Sequence, residues 1–229
     1  MKQSAVIVAG GMGKRLGKPI PKAFVEIAGK EMFRYSLEIF DSLNCFESIV
    51  LVVPSEAVEE TNDKVREGSY KTSVVVVAGG VERWNSVENG VIAAGDVELV
   101  AIHDAARPFV TKDVVLGLLE QAKLHDGIIT ANPVVDTVRE FHGEICGKTI
   151  DRSKLIAVGT PQVFNRVTLL ECFDISRHQG IIPTDEAMLL ENCGKKVHFL
   201  YGDPLNFKVT APSDMILAEA IVKMRESNA

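Results

Sequence analysis

The chain lacks paired cysteines, a surplus of positive charge, a long apolar run and any repeated or low-complexity segment. Its four cysteines, Cys45, Cys146, Cys172 and Cys193, stand far apart with no CxxC pair, which argues against a zinc ribbon or a dithiol redox motif. They read as reduced, mostly buried thiols of a cytoplasmic protein. A formal net charge of -6 argues against a general binder of nucleic acid or membrane surface, because such partners are held by clustered Lys and Arg. The apolar run after Met1-Lys2-Gln3 is too brief for a signal sequence or a membrane span. With no linker or internal repeat to divide them, the 229 residues read as one domain with one sizeable core.

What is present is an alternation. Short runs rich in Val and Ile, at Ala5 to Ala9, Ser48 to Val53, Ser73 to Val77, Leu99 to His103 and Gly127 to Ala131, are separated by stretches with helical spacing. Those stretches are Glu31 to Leu43, Glu56 to Arg66, Arg83 to Ala94 and Lys112 to Leu124. The pattern predicts an α/β fold with a mostly parallel sheet covered on both faces, whose ligands sit beyond the carboxyl ends of the strands. From Val134 to Ile150 the pattern changes to strand-like residues around His142-Gly143, which predicts a projecting hairpin. Helices are expected again at Arg166 to Arg177, Thr184 to Cys193 and Pro212 to Arg225, and strands at Val197 to Tyr201 and Phe207 to Val209.

The first strand delivers Gly10-Gly11-Met12-Gly13-Lys14-Arg15-Leu16-Gly17 and then Lys18-Pro19-Ile20-Pro21-Lys22. Glycines let backbone N–H groups approach phosphate oxygens and form an anion nest. The same glycines also suit an ordinary strand-to-helix turn. The segment is no Walker A loop, since Gly-Lys-Ser/Thr is missing, and its third glycine is displaced from a dinucleotide fingerprint. Lys14, Arg15, Lys18 and Lys22 on one turn of an acidic protein tip the reading toward a bound anion.

Other strand ends carry further candidates. Ile102-His103-Asp104-Ala105-Ala106-Arg107-Pro108 places a carboxylate and a guanidinium just past the fourth strand. Asp104 suits Mg²⁺, a hard cation that accepts carboxylate and phosphate oxygens, while Arg107 can pair with Asp104 as a structural salt bridge, the plainer reading of this segment alone. His103 reads as a packed, hydrogen-bonded histidine rather than a base. Gly79-Gly80 through Ser86 opens a helix, as a cap or as a receiver of a base or ribose edge. Lys208 stands in a short apolar run and needs a partner, either Asp203 or bound phosphate. Arg152, by the hairpin, is either a solvated charge or a reach toward a neighbouring subunit.

Together these segments resemble the 2-C-methyl-D-erythritol 4-phosphate cytidylyltransferases. The resemblance runs from Ala9 to Leu217 and rests on the Gly-rich run ending in Pro21-Lys22, His103 to Pro108, Val135-Asp136-Thr137, Asp151-Arg152, Thr160-Pro161-Gln162, Thr184-Asp185-Glu186-Ala187 and Lys208-Val209-Thr210. It implies a Rossmann-like, glycosyltransferase-A-type nucleotidyltransferase fold, with residues 134–152 as a hairpin arm that joins two subunits. It assigns Ala9, Gly10, Gly11, Gly13, Gly80, Arg83 and Ser86 to CTP, with Arg15, Lys22 and Lys208 as the catalytic cations. Asp104, Arg107, Thr137, Arg152, Thr160 and Thr184 go to the polyol phosphate, Asp104 also to Mg²⁺, with Arg152 and Thr160 supplied by the second subunit of a homodimer. Departures are mild: Gly10 stands where many relatives have Ala, Ala23 where Gln is frequent, and Val81 replaces a more polar residue.

The chemistry this implies needs no catalytic triad. A phosphate monoester has a second pKa of about 6 and is already largely dianionic near neutral pH. Its oxygen is expected to attack the α-phosphorus of CTP in line, leaving alignment and charge neutralisation as the enzyme's task.

Overall fold

The computed structural model describes residues 1–11 and 21–227. The first half of the chain winds as β1 (Gln3–Val8), a minimal hairpin of β2 (Glu26–Ile27) and β3 (Lys30–Glu31), α1 (Met32–Ser42), β4 (Ser48–Val53), α2 (Val58–Glu67), β5 (Ser73–Ala78), α3 (Arg83–Ala93) and β6 (Leu99–Asp104). Then follow α4 (Lys112–Gln121), β7 (Gly127–Pro133), β8 (Val138–His142), β9 (Ile145–Ile150), β10 (Ile156–Asn165), α5 (Arg166–Gln179), α6 (Glu186–Asn192), β11 (Val197–Tyr201) and α7 (Pro212–Ser227).

Seven strands form one sheet in the order β11-β7-β10-β6-β1-β4-β5. Every neighbouring pair is parallel except those of β10, which runs antiparallel to both β6 and β7. The strands bury both faces because successive side chains alternate across the sheet. Ala5, Ile7, Ile49, Leu51 and Leu99 pack on one side under α1 and α4. Val6, Val50, Val52, Val100 and Ile102 pack on the other under α3, α5 and α6. A third apolar cluster, with Val25, Ile27, Met32, Phe109, Val209 and Ile221, joins the β2-β3 hairpin to α7.

Two features depart from the pattern read in the sequence. β10 is a full ten-residue strand across the segment Gly159-Thr160-Pro161-Gln162, and it absorbs the turn-like residues in a register shift between Gly159 and Gln162. Phe207 to Val209, expected as a strand, joins no ladder among the described residues; Val209 N–H donates to the Ala106 carbonyl at 2.8 Å. The predicted hairpin is present as β8 and β9, a two-stranded sheet of its own turning at Gly143 with φ +61°, a left-handed conformation glycine adopts without steric cost. Among the described residues no helix is long and apolar enough to cross a membrane.

Candidate active site

Counted along the chain, the first four strands of the large sheet lie in the order third, second, first, fourth. The crossover after β5 therefore passes over β1 to reach β6 and opens a crevice between the carboxyl ends of β1 and β6, where ligands of such sheets bind. Val8 at the end of β1 is in register with Asp104 at the end of β6. A cavity of about 510 Å³ opens over this point, lined by Ala9, Gly10, Gly11, Lys22, Gly80, Arg83, Ser86, Asp104 and Lys208 among others.

Asp104 is the centre of the charge arrangement. Its Oδ1 accepts from Arg83 Nε at 3.1 Å and its Oδ2 from Lys208 Nζ at 2.7 Å. Burial alone would raise its carboxyl, but the charges of Arg83 and Lys208, with the Lys208 hydrogen bond, hold it well below the usual carboxylate range. Lys208 thus finds its partner in Asp104 rather than in Asp203, whose carboxylate accepts from Leu205 N–H at 2.8 Å. Behind Arg83 stands Glu186, fully buried, accepting from Arg83 Nη1 at 2.8 Å and Nη2 at 3.2 Å. Because both Glu186 oxygens accept from the guanidinium fork, the geometry is that of a carboxylate.

The Gly-rich segment meets this centre at both its described ends. Lys22 N–H donates to the Gly11 carbonyl at 2.8 Å, which brings a largely buried Lys22 to the cavity wall. The carboxyl of Asp214 is lowered by N–H bonds from Thr210 and Ala211, and the charge of Lys22 adds to the effect. Gly13 and Arg15 lie outside the described residues. Across the cavity, Ser86 Oγ accepts from Gly80 N–H at 3.0 Å and donates to the Glu82 carbonyl at 3.2 Å. Its hydroxyl ties Gly80 to the start of α3, while the cap itself is the box formed by Glu82 and Asn85.

Arg107 does not pair with Asp104. Its Nη1 donates to the Asn206 carbonyl at 3.1 Å, and among the described residues no partner meets its buried Nε. Burial lowers its guanidinium from the usual value; Asp104 counteracts this and Arg83 adds to it. His103 is packed and hydrogen-bonded as expected: Nε2–H donates to the Arg107 carbonyl at 2.9 Å, leaving Nδ1 to accept from Thr160 Oγ1 at 3.1 Å. Burial pushes it down to about 4. Thr160, expected to serve a second subunit, is instead buried within its own chain, and its hydroxyl also accepts from Asp104 N–H at 3.0 Å. Both bonding directions of that hydroxyl are taken.

Thr137, Arg152 and Thr184 are exposed and do not line the cavity. Arg152 donates to the Val135 carbonyl at the base of the hairpin. Glu186 is the site residue that sequence reasoning passed over. It follows Asp185, whose side chain caps α6 by accepting from Met188 N–H at 3.0 Å, so by position it reads as an ordinary first-turn acid. Nothing local announces that it is buried.

Comparison with known proteins agrees with this geometry. A sequence model of the IspD family, 2-C-methyl-D-erythritol 4-phosphate cytidylyltransferase, matches residues 3–224. The protein of that name from Bacillus licheniformis is 37% identical over 229 residues, covering 100% of this chain and 99% of the relative. Its counterpart from Endomicrobium trichonymphae is 39% identical over 97% of this chain and 100% of its own. The crystal structure of the Thermus thermophilus cytidylyltransferase superposes with a TM-score of 0.82 at 30% identity, covering 97% of this chain and 100% of that one. With Gly11, Lys22, Asp104 and Lys208 gathered at the switch point of the sheet, the chain belongs to the IspD family of 2-C-methyl-D-erythritol 4-phosphate cytidylyltransferases.

Proposed function

We propose that the protein transfers CMP from CTP to 2-C-methyl-D-erythritol 4-phosphate, releasing pyrophosphate. Family membership supports the reaction, and one observation carries the site assignment: Lys22, Arg83 and Lys208 converge with Asp104 on a single cavity at the carboxyl ends of β1 and β6. An attacking phosphate oxygen forms the new bond to the α-phosphorus while the bond to the leaving pyrophosphate oxygen breaks. No proton needs to move. The backbone of Ala9, Gly10, Gly11 and Gly80 approaches the nucleotide, Ser86 holds Gly80 in place, and Lys22 and Lys208 offset the charge that builds on the phosphates. Gly13 and Arg15, outside the described residues, are assigned to the same nucleotide. Arg107, Thr137 and Thr184 are assigned to the polyol phosphate.

Asp104 fits a divalent cation as a single ionised carboxylate facing the cavity. Among the described residues no group of three or more His, Cys, Asp or Glu could hold a metal, so the remaining ligands would be phosphate oxygens and water, as Mg²⁺ accepts. When bound, such an ion supplies further neutralisation of the triphosphate. Lys208 competes for the same carboxylate oxygen.

The same reading makes the chain one catalytic domain working in the cytoplasm as a homodimer, with residues 134–152 as the arm and Arg152 reaching the partner's polyol phosphate. Support for the arm comes from Phe141 and Ile145, large apolar side chains exposed on β8 and β9. The test is pyrophosphate release with Mg²⁺ and each nucleoside triphosphate against a panel of sugar and polyol phosphates. Release is expected with CTP and methylerythritol phosphate. A preference for ribitol 5-phosphate would overturn the substrate, and no release with any pair would overturn the activity.

A further inference from the structure

We propose that Glu186 is a positioning residue for the nucleotide site: it fixes the Arg83 guanidinium in the plane from which Arg83 addresses Asp104 and the triphosphate. The inference rests on the assignment of Arg83 to the nucleotide made above. Arg83 opens α3 and Glu186 opens α6, so the pair ties together the starts of two helices on the same face of the sheet. Glu186 has no solvent exposure, and both its oxygens are spent on Arg83 Nη1 and Nη2. The Arg83 Nε that remains points to Asp104 Oδ1. A planar guanidinium held at two corners leaves its third edge with one direction. Asp104 thus receives Arg83 on Oδ1 and Lys208 on Oδ2, while Glu186 serves Arg83 by both its oxygens.

The experiment is a double-mutant cycle on CTP binding, read by calorimetry with Mg²⁺ and no acceptor phosphate so that nothing turns over. Arg83→Ala is expected to weaken CTP binding at least tenfold, and Glu186→Gln, nearly isosteric, by about fivefold to tenfold. The double variant should bind no worse than Arg83→Ala alone, because Glu186 acts through Arg83. Additive losses would overturn the proposal in favour of a general structural role. A folded Glu186→Gln with unchanged or tighter binding would overturn it while Arg83→Ala still weakened CTP, leaving the nucleotide assignment intact. Unchanged binding by Arg83→Ala would sink both. If Glu186→Gln does not fold, Glu186→Asp, which keeps the charge but withdraws it by one methylene, must show the same selective loss of CTP affinity.

Discussion

His103 and Asp104 are neighbours in β6 with opposite protonation habits, and the Thr160 hydroxyl serves both, accepting from the Asp104 N–H and donating to the His103 ring. The imidazole is held neutral by burial, with its folded value at about 4. The ordinary histidine value of about 6.5 applies once the chain unfolds. Between these values the unfolded state binds the extra proton, so His103 contributes its full stability above pH 6.5 and loses it as the pH falls toward 4. The loss is on the order of 3 kcal/mol at most. Thermal melts of wild type and His103→Gln from pH 7 to pH 4 should diverge, the wild type falling more steeply; parallel curves would refute the assignment. Lys208 belongs to the same scale. Removing one charged donor from a site of developing charge typically costs about a hundredfold to a thousandfold in kcat, so Lys208→Ala should lower kcat by that order with a smaller change in KM. An unchanged kcat would remove Lys208 from the catalytic set.

α3 carries Arg83 and Ser86 at its start and lies tightly on the sheet at Gly90. A Cβ there would stand 2.4 Å from Val6 Cγ1 and 2.8 Å from Val52 Cγ2, and both valines are fully buried on stiff, β-branched side chains. Alanine favours a helix over glycine by up to about 1 kcal/mol, but overpacking costs about 1–3 kcal/mol. Gly90→Ala should therefore lower the melting temperature, and by tilting α3 it should raise KM for CTP; a stabilised variant would show that the helix has room to move. The elements that sequence patterning finds best are those whose burial is symmetrical. β1, β4 and β6 read as unbroken apolar runs, and α1 to α4 fill the intervals between strands. β10 escapes because Gly159, Thr160 and Pro161 are turn and breaker residues in any local reading, and only its pairing with β6 and β7 makes it a strand. Phe207 to Val209 fails for the converse reason: its composition suits a strand, but no neighbour offers a ladder. At the site, Asp104 and Lys22 are legible because a strand end and a Gly-rich run mark them, and Lys208 because a charge in a short apolar run needs a partner. Glu186 is not, since its role depends on an arginine 103 residues away.

At the level of the whole molecule, the described residues assigned to the nucleotide line one cavity of a single chain, while several residues assigned to the acceptor phosphate stand apart from it. Thr137 and Arg152 are exposed around the hairpin, and the hairpin itself presents Val135, Phe141 and Ile145 at 80%, 76% and 73% exposure. Exposed apolar groups of that size on one arm suit a partner surface, and a two-fold interface would place each arm against the other subunit. Complementation tests this directly. Lys22→Ala and Arg152→Ala chains, each to be checked by sedimentation for dimerisation, are expected to be inactive or nearly so alone. If Arg152 serves the neighbouring site, every mixed dimer contains one site with both substitutions and one with neither. Half the dimers in an equal, freely exchanging mixture are mixed, so activity should return to about a quarter of wild type. If Arg152 serves its own chain, each site in the mixed dimer keeps one defect, and mixing restores nothing above the parents.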